Sequence, residues 1–174
     1  MTLANAGVGS ASHLCGLLFM STIQADLTTV PYKGTAPAMN DLLGGQVDLL
    51  CDQTTNTTSY IRAGRVKPCG VTSKSRIDSL NEIPTMAGAG LPGFEVAVWH
   101  GVYAPKGTPG PVIDKLVASL QAAIADPSFV QKRVEPGSQV VSKDEATTEG
   151  LRTHLKAEID RWTPIIRKAG VYAD

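Results

Sequence analysis

The chain has 174 residues, and its 16 basic and 16 acidic side chains leave no formal net charge at neutral pH. This balance excludes the basic field by which proteins attract nucleic acid or an anionic membrane surface. Hydrophobic residues make up 43% of the chain and aromatic residues only 5%, which predicts one aliphatic α/β core, and no apolar run is long enough to insert across a bilayer.

The first elements alternate between strand and helix. A short apolar strand precedes a helix that is capped by Ser10 or Ser12 and is apolar on almost every side, so we expect this helix to be buried. β-Branched and aliphatic residues predict further strands, and glycines mark the helix ends. The predicted strands cover residues 28–32, 47–51 and 66–72. Strands separated by helices of this length predict a mostly parallel, doubly wound α/β sheet.

The pattern changes after Ser73. Residues 74–93 form a connection rich in proline and glycine, with room for a turn or two of helix at residues 85–89. Residues 94–103 alternate like a strand, and apolar stripes at helical spacing predict two long amphipathic helices with a short one between them. The long helices cover residues 112–125 and 151–168, and the short one starts at Ser128.

One device occurs three times in the first half of the chain: a short strand, a loop of small or hydroxyl-bearing residues, then a helix. The three copies lie at residues 5–13, 30–38 and 49–57. Such loops leave a parallel sheet from the same edge, so three helix N-termini would converge there. Their amides and dipoles favour a carboxylate or phosphate without a side-chain cation. The device therefore predicts an anion site made of main chain.

Three cysteines occur, Cys15, Cys51 and Cys69, with neither a C-x-x-C pair nor a histidine at metal-ligand spacing. We therefore expect no disulfide scaffold, no metal and no other cofactor. Cys15 falls in an apolar helical run and Cys69 in a predicted strand, where a free thiol acts as a small buried hydrophobe.

Several motifs together resemble one family, the extracytoplasmic solute receptors of tripartite tricarboxylate transporters, or Bug family. The motifs include GVGSASHL at 7–14, VPYKG at 30–34, LLGGQVD at 42–48, IPT at 83–85, WHG at 99–101 and APKGTP at 104–109. The resemblance covers essentially the whole chain in order. It implies a periplasmic, two-lobed binding protein without catalysis, which closes around small carboxylates.

The resemblance also implies a division of the chain. Residues 1–98 would form a second-lobe-like α/β domain of a type II periplasmic-binding-protein-like fold, and residues 99–174 a return segment that completes the first lobe. The chain would then correspond to about the C-terminal half of a receptor. Residues 1–20 carry no basic residue before their apolar stretch, so we expect no secretory signal there and no export of the chain as written.

Carried over residue by residue, the resemblance implies a ligand site on the three loops. Its members are Gly9 and Ser10 on the first loop, Tyr32, Gly34 and Thr35 on the second, and Asp52, Gln53 and Thr54 on the third. Charge-assisted bonds from amides are worth about 1.5 to 3 kcal/mol each, against about 4 kcal/mol or more of lost freedom. Since the other lobe's partners are missing, we expect weak, millimolar carboxylate binding.

Simpler interpretations of these residues remain. The first-loop glycines could serve the turn alone, and Tyr32 is as suited to packing over its loop as to touching a ligand. Asp52 could cap the third helix. Lys33 is typical of a solvated surface charge, and His13 of a packing histidine with one satisfied nitrogen.

Two other functions compete with the receptor hypothesis. The chain could be an interaction module that forms a homodimer through helices 112–125 and 151–168, since their apolar stripes seek partners. A hydrolase could use Cys51, Asp52 and His100, the nucleophile and base types near loops. No local signature brings these three side chains within hydrogen-bond reach, which argues against catalysis.

Overall fold

The computed structural model describes residues 1–170, without the side chains of residues 168 and 169. Its strands are β1 (Thr2–Asn5), β2 (Thr28–Pro31) and β3 (Leu49–Leu50), and its helices are α1 (Ala11–Ile23), α2 (Thr35–Leu43), α3 (Thr54–Arg62), α4 (Gly110–Ala125), α5 (Pro127–Val134) and α6 (Thr148–Ala169). A 3₁₀ turn lies at Asp78–Leu80.

The three strands form a parallel sheet in the order β2-β1-β3. Thr2 of β1 pairs with Thr28 of β2, and Leu3 pairs with Leu49 of β3. The chain passes from β1 to β2 on one side and then reaches β3 on the other side of β1. Strand β1 therefore lies at the topological switch point, where α/β proteins bind ligands. The predicted doubly wound parallel arrangement is confirmed.

Helices α1 and α2 cover opposite faces of β1, because successive strand side chains point to opposite faces. Ala4 packs with Ala38 of α2 and Val47 in one buried cluster. On the other face, α1 approaches the strand at Gly16, where an added Cβ would lie 2.8 Å from the Leu3 side chain. Glycine at position 16 therefore leaves room for the Leu3 side chain between α1 and the sheet.

Helix α1 is less buried than its apolar composition predicted. Its buried residues all lie in the N-terminal half of the helix: Ser12, His13, Cys15 and Gly16. A sheet of three short strands covers only one side of a helix of 13 residues. The expectation of burial on all sides was wrong.

Two predicted strands are also wrong. Segment 66–72 contributes only an isolated bridge between Val71 and Thr85, and segment 94–103 contains no strand, although the Val96 amide donates to the Thr72 carbonyl over 2.9 Å. Pro68 has no N–H to extend a ladder, which limits pairing here. The predicted helix at 85–89 is a series of turns.

The three C-terminal helices occur where the periodicity predicted them, and Gly170 ends α6 with a φ of 65°. Trp162 of α6 packs in a cluster with Cys15 and Phe94, so α6 contacts α1. Helices α4 and α5 contain no fully buried residue. The division at residue 98 stays a prediction, and residues 171–174 of its second part lie outside the described residues. Over residues 1–170, no helix combines the length and apolar character needed to cross a membrane.

Candidate functional site

The loops that follow β1, β2 and β3 meet at the carboxyl edge of the sheet. The Gly34 amide donates to the Ala6 carbonyl over 3.2 Å, which joins the first loop to the second. The side-chain amide of Asn56 donates to the Thr35 hydroxyl over 3.4 Å and to Asp52 over 3.1 Å, which joins the second to the third. The structure thus brings the three predicted loops together.

The glycines of the first loop are required by its backbone. Gly7 and Gly9 have φ angles of 123° and 78°, where a side chain would be strained. A Cβ at Gly7 would also lie 3.3 Å from the Tyr32 carbonyl oxygen of the second loop. The turn alone therefore demands glycine at both positions.

The Gly9 and Ser10 amides have partners inside the first loop. The Gly9 amide donates to His13 Nδ1 over 3.2 Å, and the Ser10 amide donates to the Gly7 carbonyl over 3.1 Å. The Ser10 hydroxyl accepts from the His13 amide as the N-cap of α1. His13 is buried, which lowers its pKa and keeps the ring a neutral acceptor. It is the packing histidine that the sequence suggested.

The donors left for an external acceptor are the next amides along α1. Ala11 and Ser12 occupy the first two helical positions, whose N–H groups have no intrahelical acceptor, and within residues 1–170 neither donates to another group. The same holds for the first two residues of α2 and α3, residues 35, 36, 54 and 55. Sequence reasoning proposed these three loops but did not name Ala11, which the position of the Ser10 cap could have indicated.

No acidic residue occupies the first turn of α1, α2 or α3. The caps of α2 and α3, Gly34 and Gln53, make no side-chain capping bond. The positive ends of three helix dipoles are thus left without a first-turn carboxylate. This arrangement favours an anion at the edge.

Asp52 lies one residue before the cap of α3, so it does not itself occupy the cap position. Its Oδ1 accepts from the Gln53 amide over 2.7 Å, whereas its Oδ2 is buried without a hydrogen-bond partner among the described residues. The carboxylate orients the third loop through the Gln53 amide.

Tyr32 and Lys33 follow β2 and point to different surroundings. The Tyr32 hydroxyl donates to Asp41 Oδ2 over 2.7 Å, and this hydrogen bond raises the pKa of Tyr32. The Tyr32 ring packs against the cluster around Ala4. Lys33 is exposed. Tyr32 therefore links the second loop to α2 through Asp41.

The segment after α5 contacts the start of α3. The Thr54 hydroxyl donates to the Gly137 carbonyl over 3.1 Å, and the Thr58 hydroxyl donates to Pro136 over 3.2 Å. A Cβ on Gly137 would lie 2.9 Å from Thr54. These contacts join residues about 80 positions apart, so no local pattern in the sequence predicts them.

The cysteine prediction was wrong in two respects. Cys15 and Cys51 form a disulfide with their Cα atoms 6.3 Å apart, and Cys69 is a free, exposed cysteine outside any strand. The pair is 36 residues apart and meets only because α1 packs beside the end of β3. A disulfide sulfur has no thiolate to offer, so the hydrolase hypothesis loses its nucleophile.

Comparison with known proteins decides the family. Residues 1–171 match the tripartite tricarboxylate transporter family receptor, TctC. The chain belongs to this family. This match confirms the resemblance seen in the motifs. TctC proteins are solute-binding receptors and not enzymes. A UPF0065 protein of Agrobacterium vitis, from the TAR-I ttuE-ttuC′ intergenic region, is 44% identical over 98% of this chain and 49% of its own length.

Solved structures give the same assignment. The periplasmic binding protein BugD is 53% identical, with a TM-score of 0.87 over 100% of this chain and 58% of its own. Rpa4515 of R. palustris, solved with adipate, is 33% identical with a TM-score of 0.86, covering 98% of this chain and 56% of its own. MatC of Rhodopseudomonas palustris, solved with bound malate, is 35% identical with a TM-score of 0.86, covering 95% and 56%.

This TctC chain is short relative to most of its relatives. It spans about half the length of most of the curated proteins that it matches. The matched half includes the sheet and all three loops of the carboxyl edge.

Proposed function

We propose that this chain forms the ligand-binding part of a solute receptor and holds small carboxylates at the edge where α1, α2 and α3 begin. The observation that carries the proposal is the convergence of three helix N-termini, none with an acidic residue in its first turn. Main-chain amides and helix dipoles there supply charge-assisted hydrogen bonds to a carboxylate.

The related structures support the ligand class. Rpa4515 was solved with adipate and MatC with malate, two dicarboxylates of different length. Main-chain amides recognise the charge and shape of a carboxylate and make few contacts with the rest of the ligand. Such donors are consistent with binding dicarboxylates of different length. Because the donors come from one sheet edge, affinity in this chain by itself stays in the millimolar range.

The disulfide supports a periplasmic location. Disulfides persist in oxidising compartments such as the bacterial periplasm and are rare in the cytosol. Cys15 and Cys51 are paired here, and the related BugD is a periplasmic binding protein. The cysteine chemistry and the family both support this location.

Amide chemical shifts test the proposal directly. The chain is labelled with ¹⁵N and titrated with adipate, and with uncharged adipamide as the matched control ligand. We expect saturable shifts for the first two amides of α1, α2 and α3 with adipate and none with adipamide. Equal shifts with both ligands, or shifts confined to other parts of the chain, would contradict carboxylate binding at this edge.

A proline substitution removes one donor without breaking its helix. Ala11→Pro deletes the first N–H of α1, proline is favoured at this helical position, and the preceding Ser10 already has the extended backbone that proline requires, with ψ 160°. Thr148→Pro makes the same change at the first position of α6, after the extended Thr147. We expect weaker adipate binding only in Ala11→Pro. Equal affinity in both variants argues against an α1 amide as a ligand.

A second candidate function is self-association. Val112 and Leu116 on α4 are 47% and 46% exposed, and Ile159 on α6 is 54% exposed. These side chains favour a homodimer through the helices at 112–125 and 151–168. Light scattering at tens of micromolar tests this: a dimer that Leu116→Lys dissociates supports it, and a monomer contradicts it.

A further inference from the structure

We propose that the Cys15–Cys51 disulfide is a positioning element of the carboxylate site, so that reduction of this bond weakens ligand binding. The proposal rests on the proposed function and adds a dependence on oxidation state. The bond joins α1 to the residue immediately before the third loop of the edge.

The third loop receives little support from the sheet. β3 consists of Leu49 and Leu50 alone, which pair with Leu3 and Ala4. Cys51 is the first residue beyond that ladder, and Asp52 follows it directly. The position of the loop therefore depends on contacts outside the strand.

Helix α1 provides two such contacts to the same residue. The Ser12 hydroxyl donates to the Cys51 carbonyl over 2.6 Å, and Cys15 bonds to the Cys51 sulfur. Ser12 and Cys15 are three residues apart, so they lie on one face of the helix. Cys51 is thus held through both its main chain and its side chain.

The two joined elements carry donor groups of the proposed site. Ser12 belongs to the first turn of α1, with one of the amides left for an external acceptor, and α3 begins three residues after Cys51. A tie at Cys51 therefore sets the spacing between these two helix N-termini. Pre-organised donors bind more tightly than donors that must be ordered by the ligand.

The two cysteines differ in exposure. Cys15 is 3% exposed and packs with Phe94 and Val96, whereas Cys51 is partly buried and packs against the same cluster. Cys51 is therefore the more exposed partner of the bond. In reduction the disulfide takes two electrons and two protons from dithiothreitol, giving two thiols and the cyclic disulfide of the reductant.

The experiment compares adipate affinity and thermal unfolding in the oxidised and reduced chain. Dithiothreitol is the reductant because it has no carboxylate; phosphine reductants that carry carboxylates would compete for the site. Affinity is measured by the ¹⁵N titration at a temperature well below both unfolding midpoints. We expect reduction to raise the Kd about fivefold, since loop ordering then becomes part of binding.

Variants separate positioning from general stabilisation. Cys15→Ser with Cys51→Ser should match the reduced chain, and dithiothreitol should then change nothing further. The matched control, Cys69→Ser, alters the exposed free cysteine and should keep the full redox response. If the reduced chain unfolds, Cys15→Val with Cys51→Ala fills the space of the sulfurs and serves for the same comparison.

The outcomes are distinct. A lower unfolding midpoint with an unchanged Kd means that the disulfide only stabilises the fold, and it overturns the inference while leaving carboxylate binding intact. An oxidised chain that does not bind adipate overturns the proposed function itself. A Kd that rises on reduction and in the double serine variant, but not in Cys69→Ser, supports positioning.

Discussion

The hydroxyl of Ser12 donates a 2.6 Å hydrogen bond to the carbonyl oxygen of Cys51, 39 residues further along the chain. This bond links the first turn of α1 to the end of β3, and the disulfide from Cys15 reinforces the same link. Two of the three loops at the carboxyl edge are therefore fixed relative to each other by α1.

Ser12→Ala should lower the free energy of unfolding by about 1 kcal/mol, because it removes a hydrogen bond and leaves the Cys51 carbonyl without this donor. Ser12 is 7% exposed, so water cannot readily replace the lost partner. Urea unfolding of the oxidised chain measures the change. Ser21→Ala, at an exposed position of the same helix, is the control; equal effects of both substitutions would show that the bond contributes nothing.

Gly137→Ala should destabilise the contact between the post-α5 segment and α3. Gly137 has a φ of 94°, and an added Cβ would lie 2.9 Å from Thr54. Gly107 has a similar φ of 88° with nothing near its Cβ position, so Gly107→Ala reports the backbone cost alone. We expect Gly137→Ala to lose about 1 to 3 kcal/mol more than Gly107→Ala in urea unfolding. No difference would mean that Thr54 moves aside freely.

His13 should make the fold sensitive to mild acid. Burial lowers its pKa below the ordinary value of 6.5, so the unfolded chain takes up this proton first as the pH falls. The stabilisation is complete above about pH 6.5 and is lost as the pH falls through the lower folded pKa. Protonation also removes the acceptor of the Gly9 amide.

The measurement is the thermal unfolding midpoint between about pH 7.5 and about pH 5.5. We expect a larger decrease in the unmodified chain than in His13→Gln, which does not titrate. His100→Gln changes an exposed histidine and should leave the decrease intact. A His13→Gln chain with the full pH response would exclude His13 as its source.

Asp48 should contribute a separate dependence at lower pH. The Thr2 amide and hydroxyl donate to Asp48 Oδ2 over 2.7 and 3.0 Å, and the amide bond is the main reason why the pKa of Asp48 lies below its ordinary value. The stabilisation is present above the unfolded value of 3.8 and is lost as the pH falls through the folded pKa. Asp48→Asn should flatten the acid limb of the stability curve below about pH 4, while Asp26→Asn, at an exposed position, should not.

Local patterns predicted most of the architecture. The order of strands and helices from β1 to α3, the parallel sheet, and the α4 and α6 helices follow from apolar periodicity and from glycine or serine at helix ends. The strands predicted at 66–72 and 94–103 failed because a strand also needs a partner with a continuous set of donors, which a local window does not reveal.

The candidate site was predicted at the level of loops and not of atoms. Loops that follow parallel strands share an edge by geometry, so their convergence was expected. Which polar groups remain available depends on side-chain orientation and on distant contacts: the Gly9 amide donates to His13 Nδ1 four residues along the chain, and the Thr54 hydroxyl donates to the Gly137 carbonyl 83 residues away.

The sequence by itself determined the succession of strand, loop and helix, the glycine-dependent first turn and the family, because these depend on residues close together in the chain. Only the tertiary structure decided that Cys15 bonds to Cys51, that the Ser12 hydroxyl donates to the Cys51 carbonyl, and that the Gly137 carbonyl accepts from the Thr54 hydroxyl. Such pairings depend on how segments distant in sequence approach one another, and that approach is set by the packing of whole helices on the sheet.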